Sequence, residues 1–290
     1  MRINKKESRM KLSFLVFILL VVAVSIVPEV QRLYFPKMTS SNHLQMEEIE
    51  NRQNFLRRKS LCLKGESSEC MNVAQMFLNG TGTTQDFKEA QLYFEKACKR
   101  KNVLGCDKSV EIEKVNHDVQ VCDMNDSESC YKLGLNFSLG KTVPRDNILA
   151  IKYFEKSCDL ENSWGCEGLG MALIWQGLIE DSKSVRLQTG PKKERIINLY
   201  KKACDLDNSR ACYNLGDYYA RGIHVEQNLK SGFESFEKSC ELSSDYGCFR
   251  LGNLYEEGLY VKKDLKKSNK IYKKACALQS HEACKKLIKI

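Results

Sequence analysis

All fourteen cysteines of this 290-residue chain fall into pairs with seven residues between the members. The pairs are Cys62-Cys70, Cys98-Cys106, Cys122-Cys130, Cys158-Cys166, Cys204-Cys212, Cys240-Cys248 and Cys276-Cys284, with no cysteine left over. Successive pairs begin 36, 24, 36, 46, 36 and 36 residues apart, so the chain repeats every 36 residues with one shortening and one lengthening. A period of that size is the mark of a helical array.

The repeat shows its register at the second cysteine of each pair, as in Cys130…Leu133-Gly134, Cys166…Leu169-Gly170, Cys212…Leu215-Gly216 and Cys248…Leu251-Gly252. Further along come Phe77, Phe137, Leu173, Tyr219 and Tyr255, then Gly80, Gly140, Gly177, Gly222 and Gly258. A first helix, A, is expected to end at each of these glycines, which tolerate the left-handed backbone of a helix C-terminus. Helix B follows, with Phe94, Phe154, Tyr200, Phe236 and Tyr272 four residues before the next cysteine. This aromatic stripe reads as core.

Geometry then fixes the role of the cysteines. In one continuous helix the two Cα atoms of a pair would stand about 12 Å apart at 1.5 Å per residue, beyond the roughly 7 Å that a disulfide tolerates. The chain must turn between them, and Asp159–Gly165, Asp205–Ala211 and Glu241–Gly247 are rich in turn-forming Asp, Asn, Ser and Gly. Each pair is therefore read as a disulfide joining the end of helix B to the next helix A. Zinc is disfavoured, since its ligands usually lie two to four residues apart and converge in fours; no metal and no cofactor is expected.

Two segments break the period. Fifteen residues separate Cys106 from Cys122 without Leu-Gly or a glycine turn, so the helix pair near 107–122 is shortened or replaced by a single helix. About ten extra residues lengthen the connection near 178–190, before Pro191 opens a helix B.

Before the repeats, Arg2, Lys5, Lys6, Arg9 and Lys11 precede an uncharged run from Leu12 to Val27. This has the form of a secretory signal over residues 1–25, with cleavage after Ser25 and a linker at 26–40 before the repeats of 41–290. An uncleaved anchor is the alternative. Both readings put the repeats in a secreted or periplasmic setting where disulfides persist, with membrane contact only through the N-terminal segment if it is retained. Of the formal charge of +9, the first thirty residues carry +3, and the rest is interspersed with acids, which argues against nucleic acid as a partner. One cluster stands out, Lys262, Lys263, Lys266, Lys267, Lys270, Lys273 and Lys274. It reads as a solvated helix face or, more sharply, as a patch drawn to an anionic envelope surface.

The residues Ala203-Cys204, Leu206, Ser209, Cys212, Leu215-Gly216 and Tyr219 resemble the Sel1-like repeat, a relative of the tetratricopeptide repeat. The paired cysteines are similar to those of the Helicobacter cysteine-rich protein group. The resemblance covers about four-fifths of the chain and implies a right-handed α/α solenoid, export, penicillin binding and slow β-lactam hydrolysis. The residues supply no matching chemistry. Ser129-x-x-Lys132 and Ser235-x-x-Lys238 have the spacing of a serine β-lactamase nucleophile but lack its companion motifs. His43, His117, His224 and His281 are scattered. Catalytic residues are thus not identifiable.

What remains is a surface. Positions two, five and nine after the second cysteine share a face of helix A and give Lys132, Leu135 and Leu139, then Gly168, Met171 and Trp175. The following two repeats give Asn214, Asp217 and Arg221, then Arg250, Asn253 and Glu257. Stacked repeats would present this face on their concave side. Trp175, Asn214, Asp217, Arg221, Arg250, Asn253 and Glu257 are the candidate ligand residues, with Arg221 and Arg250 expected to take carboxylates bidentately. The ligand classes that suit them are a peptide, a peptidoglycan-like peptide or a β-lactam, and a protein partner is an alternative.

Overall fold

The structure is a computed structural model that describes residues 40–181 and 190–288. The signal and linker segments, and most of the insertion near 178–190, lie outside the described residues. Thirteen helices and no strand occur among the described residues: α1 (Ser40–Leu63), α2 (Ser67–Asn79), α3 (Phe87–Lys99), α4 (Val103–Asp123), α5 (Ser127–Leu139), α6 (Asn147–Asp159), α7 (Ser163–Asp181), α8 (Gly190–Asp205), α9 (Ser209–Arg221), α10 (Leu229–Glu241), α11 (Asp245–Glu257), α12 (Leu265–Ala277) and α13 (His281–Ile288).

The chain divides into two compact units, one ending at Asp86 and one beginning at Phe87. In the first, α1 packs on α2, with Phe55 edge-on to Phe77 at 5.2 Å and Arg58 paired with Glu69 at 2.8 Å. In the second, α3 to α13 form an α/α solenoid of helix-turn-helix repeats in which each helix packs on its chain neighbours. Helices of type A also meet across repeats, α5 against α7 and α9 against α11.

Seven disulfides close the joints, with Cα–Cα distances of 4.4 to 4.8 Å. The turn that makes this possible is the same each time. The third residue after the first cysteine takes a positive φ: Gly65, Lys101, Asn125, Glu161, Asp207, Ser243 and Gln279. Its N–H donates to the carbonyl of that cysteine, at 2.8 to 3.0 Å in all seven joints. The next residue caps the new helix; Asn102, Asp126, Asn162, Asn208 and Ser244 each accept from the N–H three residues on. Reversal of direction and capping are thus completed within two adjacent residues.

At five of the seven joints small residues stand just before both cysteines. The pairs are Ala97 with Gly105, Ser157 with Gly165, Ala203 with Ala211, Ser239 with Gly247, and Ala275 with Ala283. A Cβ on Gly165 would lie 2.3 Å from Ser157 Oγ, and one on Gly247 would lie 2.2 Å from Ser239 Oγ. Those two hydroxyls are occupied, Ser157 donating to Ser127 O and Ser239 to Ser209 O, both at 2.8 Å. Serine on one side therefore goes with glycine on the other, whereas alanine admits alanine. The B-helix aromatics Phe94, Phe154, Tyr200, Phe236 and Tyr272 are all buried, and four of them fill the space left by the glycine of Leu-Gly or its neighbour.

At the short repeat, Cys106 and Cys122 lie on one helix, α4, which serves both joints. Its buried Asn116 donates to Phe87 O at 3.1 Å and to Gln91 Oε1 at 2.8 Å, tying it back to α3. At the long repeat the expected stop at Gly177 is corrected: α7 continues to Asp181. Gly80, Gly140, Gly222 and Gly258 end their helices with φ between 65° and 75°. Gly177 is instead followed by the helix-forming Leu178, Ile179 and Glu180, and a glycine inside a helix costs only about 1 kcal/mol.

The last helix is fastened by its cystine and by polar contacts. Glu256 on α11 accepts from Lys286, while the Tyr272 hydroxyl lies 2.7 Å from Glu256 and 2.6 Å from Asn253. Hydrogen bonds from Lys286 and then Tyr272 hold the Glu256 carboxyl below the usual carboxylate range. A lowered folded-state pKa stabilises at pH above the ordinary carboxylate value and is lost as pH falls through the lowered one. Amide exchange in α13, corrected for intrinsic rate, is expected to quicken on acidification across that window, and Glu256→Gln should abolish the pH dependence. Identical pH profiles for the two proteins would contradict this role for Glu256.

Candidate functional site

Successive repeats meet through two rows of side chains. One row lies one residue after the second cysteine, at Tyr131, Glu167, Tyr213 and Phe249; the other lies two residues before it, at Trp164, Arg210, Tyr246 and Glu282. At two junctions the first-row residue of one repeat stands against the second-row residue of the next. Glu167 binds Arg210, and the Tyr213 and Tyr246 rings lie 5.7 Å apart.

Around the last of these junctions is a cavity of about 280 Å³ lined by Tyr213, Asp217, Arg221, Tyr246, Phe249, Arg250 and Glu282. Tyr213, Asp217 and Arg221 rise along one stripe of α9 at i, i+4 and i+8. Asp217 accepts from Arg221 Nη1 at 3.0 Å and, across the repeat boundary, from Arg250 Nη2. Arg250 also packs over the Phe236 ring, 5.8 Å from its centroid. Its Nε is the one buried side-chain nitrogen or oxygen without a hydrogen-bond partner among the described residues. Burial pushes the Tyr213 phenol up, against the pull of Arg250, so it remains a neutral donor.

Arg221 and Arg250, expected to take carboxylates bidentately, each give part of their donor set to Asp217, and one carboxylate between two guanidiniums leaves a net positive charge. The cavity collects Asp217, Arg221 and Arg250 from the candidate residues. Asn253 is engaged by Tyr272, Glu257 is exposed at the end of α11, Asn214 is half-buried on α9, and Trp175 is 56% exposed on α7 away from the cavity. Gly168 is not an open position either, because its missing side chain makes room for Phe154.

Sequence reasoning missed Tyr213, Tyr246, Phe249 and Glu282. The available signal was the i, i+4 spacing of Tyr213 ahead of Asp217. Tyr246 and Glu282 precede their cysteines and looked like turn residues.

The preceding junction uses the same positions differently. Glu167 is fully buried, receives Arg210 through both carboxylate oxygens and accepts from Asn208 Nδ2 at 3.2 Å. Arg210 in turn lies over the Trp164 ring, 5.1 Å from its centroid. Here the polar pair fills the space that the tyrosines leave open one repeat later.

The two Ser-x-x-Lys matches are not arranged for nucleophilic attack. Ser235 Oγ donates to Ser231 O at 2.7 Å and Lys238 pairs with Asp207 at 3.1 Å. Ser129 sits in the cap of α5, and Lys132 is 3.9 Å from Glu128. Among the described residues no cluster of three His, Cys, Asp or Glu side chains could hold a metal, and no helix is long and apolar enough to cross a membrane.

Comparison with known proteins matches the Sel1 repeat model to residues 70–102, 127–162, 197–208, 209–244 and 245–280, more than half of the chain. The gaps in that match fall on α4 and on the α7–α8 region, where the period is broken. Cytochrome c oxidase assembly factor 7 of Xenopus tropicalis is 30% identical in an alignment of 125 positions that covers 36% of this chain and 54% of that protein. The chain thus spans about half the length of this curated relative. Among solved structures, the Helicobacter pylori cysteine rich protein B is 31% identical, covering 50% of this chain and 97% of that one with a TM-score of 0.37. A Sel1 repeat protein from Oxalobacter formigenes is 21% identical over 77% of both chains, with a TM-score of 0.48. With its repeats matched across more than half its length, the chain belongs to the Sel1 repeat family.

Proposed function

We propose that this protein is a disulfide-stapled binding scaffold working outside the cytoplasm, and that it takes a peptide or peptidoglycan-type peptide at the α9–α11 junction. The supporting observation is the cavity between Tyr213, Tyr246 and Phe249, with Arg221 and Glu282 at its edge. Aromatic walls suit a bulky ligand side chain, and the tyrosine hydroxyls and the spare donors of the arginines suit the ligand's backbone or terminal carboxylate. The Asp217 pairing holds Arg250 in place, which lowers the ordering cost of binding. An extracytoplasmic setting is supported by seven cystines and by the basic-then-apolar N-terminal sequence. The Xenopus relative is named as a cytochrome c oxidase assembly factor.

Calorimetric titration of the oxidised protein with short peptides and muropeptides tests the proposal. Tyr246→Ala should weaken binding about tenfold or more, as for a buried aromatic anchor. An affinity unchanged in both Tyr213→Ala and Tyr246→Ala would place the ligand elsewhere. A chromogenic cephalosporin assays the β-lactamase alternative, and no turnover is expected because the Ser129 hydroxyl is bonded to Asp126 and that of Ser235 to Ser231 O.

A further inference from the structure

The repeats differ most in charge on the outer face of helix B. Three residues before its cysteine, α3, α6 and α10 carry Glu95, Glu155 and Glu237, whereas α8 and α12 carry Lys201 and Lys273. Six residues before it, α10 has Glu234, paired with Lys230 at 3.9 Å, whereas α6 and α12 have Lys152 and Lys270, so α12 alone has lysine at both positions. Helix α12 contains no acid, and the one at its cap, Asp264, is committed to the N–H of Lys267 at 2.8 Å.

Two lysines of the cluster have internal partners. Lys267 donates to the Tyr255 hydroxyl, which holds its pKa above the ordinary lysine value, and Lys274 donates to Cys240 O at 2.6 Å. Lys262, Lys263, Lys266, Lys270 and Lys273 are exposed, and no acid pairs with them among the described residues. Lys266, Lys270 and Lys273 share one stripe of the helix at i, i+4 and i+7.

Apolar side chains stand beside these lysines. In the loop entering α12 and at its first residue, Leu259 is 45%, Tyr260 48% and Leu265 55% exposed. Tyr260 is held by its contact with the Phe233 ring, 5.5 Å between centroids. Two leucines and a tyrosine thus stand at the margin of the lysine face. Nucleic-acid grooves favour Arg as well as Lys, and the free cations here are all lysine. Lysines flanking half-exposed aliphatic and tyrosine side chains are instead the composition of a bilayer interface, where cations meet headgroup phosphates and the apolar groups enter the acyl boundary.

We infer that the α12 face and the loop before it dock on a bilayer rich in anionic phospholipid. This widens the membrane contact beyond the N-terminal segment. Docking depends on the five free lysines for charge and on Leu259, Tyr260 and Leu265 for insertion.

Acylation footprinting of the full-length oxidised protein localises the contact even where the N-terminal segment also inserts. On vesicles of phosphatidylcholine with about one-third phosphatidylglycerol, Lys266, Lys270 and Lys273 should be protected, and the protection should fade with added salt. Phosphatidylcholine alone should give none. The triple variant Lys266→Glu/Lys270→Glu/Lys273→Glu should lower the affinity of this contact about a hundredfold, read as loss of protection at Lys262 and Lys263. Leu259→Ser/Tyr260→Ser should lower it without changing the salt slope. Equal protection on both vesicle types, no protection on either, or equal protection by a DNA duplex that ignores Leu259→Ser/Tyr260→Ser would each overturn the inference.

Discussion

Replacing Cys204 and Cys212 together by alanine is expected to destabilise the α8–α9 joint by about 2–3 kcal/mol, the loop-closure contribution for a nine-residue ring. Alanine is the suitable replacement because both positions are buried and a serine hydroxyl would lack partners there. In a linear array each repeat leans only on its neighbours, so the loss should stay local. Amide exchange in α8 and α9 should rise about thirty- to a hundredfold, while α3 and α4 change little. The turn itself gives a reason to expect this: Asp207 sits at φ 62°, a conformation that costs a residue with a side chain about 1 kcal/mol or more. Without the bridge, that strained residue is held by the Asn208 cap, its backbone hydrogen bonds and the Lys238 ion pair. Exchange that rose equally in every helix, or in none, would show that the joint does not act locally.

The second large effect concerns one methyl group. In an ordinary helix, Gly→Ala stabilises by about 1 kcal/mol. Gly247→Ala should instead destabilise by about 1–3 kcal/mol, because the new Cβ would sit 2.2 Å from Ser239 Oγ and 2.6 Å from Ser239 Cβ. Ser239 cannot swing aside cheaply, being buried and bonded to Ser209 O. The double variant Ser239→Ala/Gly247→Ala recreates the pair that this chain already uses at Ala203 and Ala211. It should recover only part of the loss, since alanine removes the Oγ contact but keeps a Cβ at 2.6 Å, and it forgoes about 1 kcal/mol for the hydrogen bond. A double-mutant cycle from thermal melts then gives a favourable coupling of about 1–2 kcal/mol. Additive losses would refute the steric account.

These two cases also mark what the sequence could reveal. Cysteine spacing is a property of the chain, and the 12 Å mismatch in a continuous helix follows from one rise per residue; joints, register and buried aromatics were therefore legible. The small residues beside the cysteines were visible too, but the pairing of Ser157 and Ser239 with glycine depends on hydroxyls that are already bonded. The ligand face was legible only in part. Counting along one helix found Asp217 and Arg221, yet the contact from Arg250 to Asp217 spans 33 residues and depends on how two repeats are rotated against each other. Glu167 shows the same limit, since a glutamate beside a cysteine gives no sign that Arg210 and Asn208 enclose it. Gly177 resembled the helix-ending glycines in spacing, but only the residues beyond it decide whether a helix stops.

Every cystine spans just eight residues of chain. Each thiol thus meets its proper partner before any rival, because all competing cysteines lie farther along the polypeptide and close larger, rarer loops. A chain emerging from its N-terminus can therefore become cross-linked joint by joint in order of appearance, with little call for an isomerase to reshuffle wrong pairs. The covalent ladder is assembled as a zipper, and an error at one rung need not spread to the next.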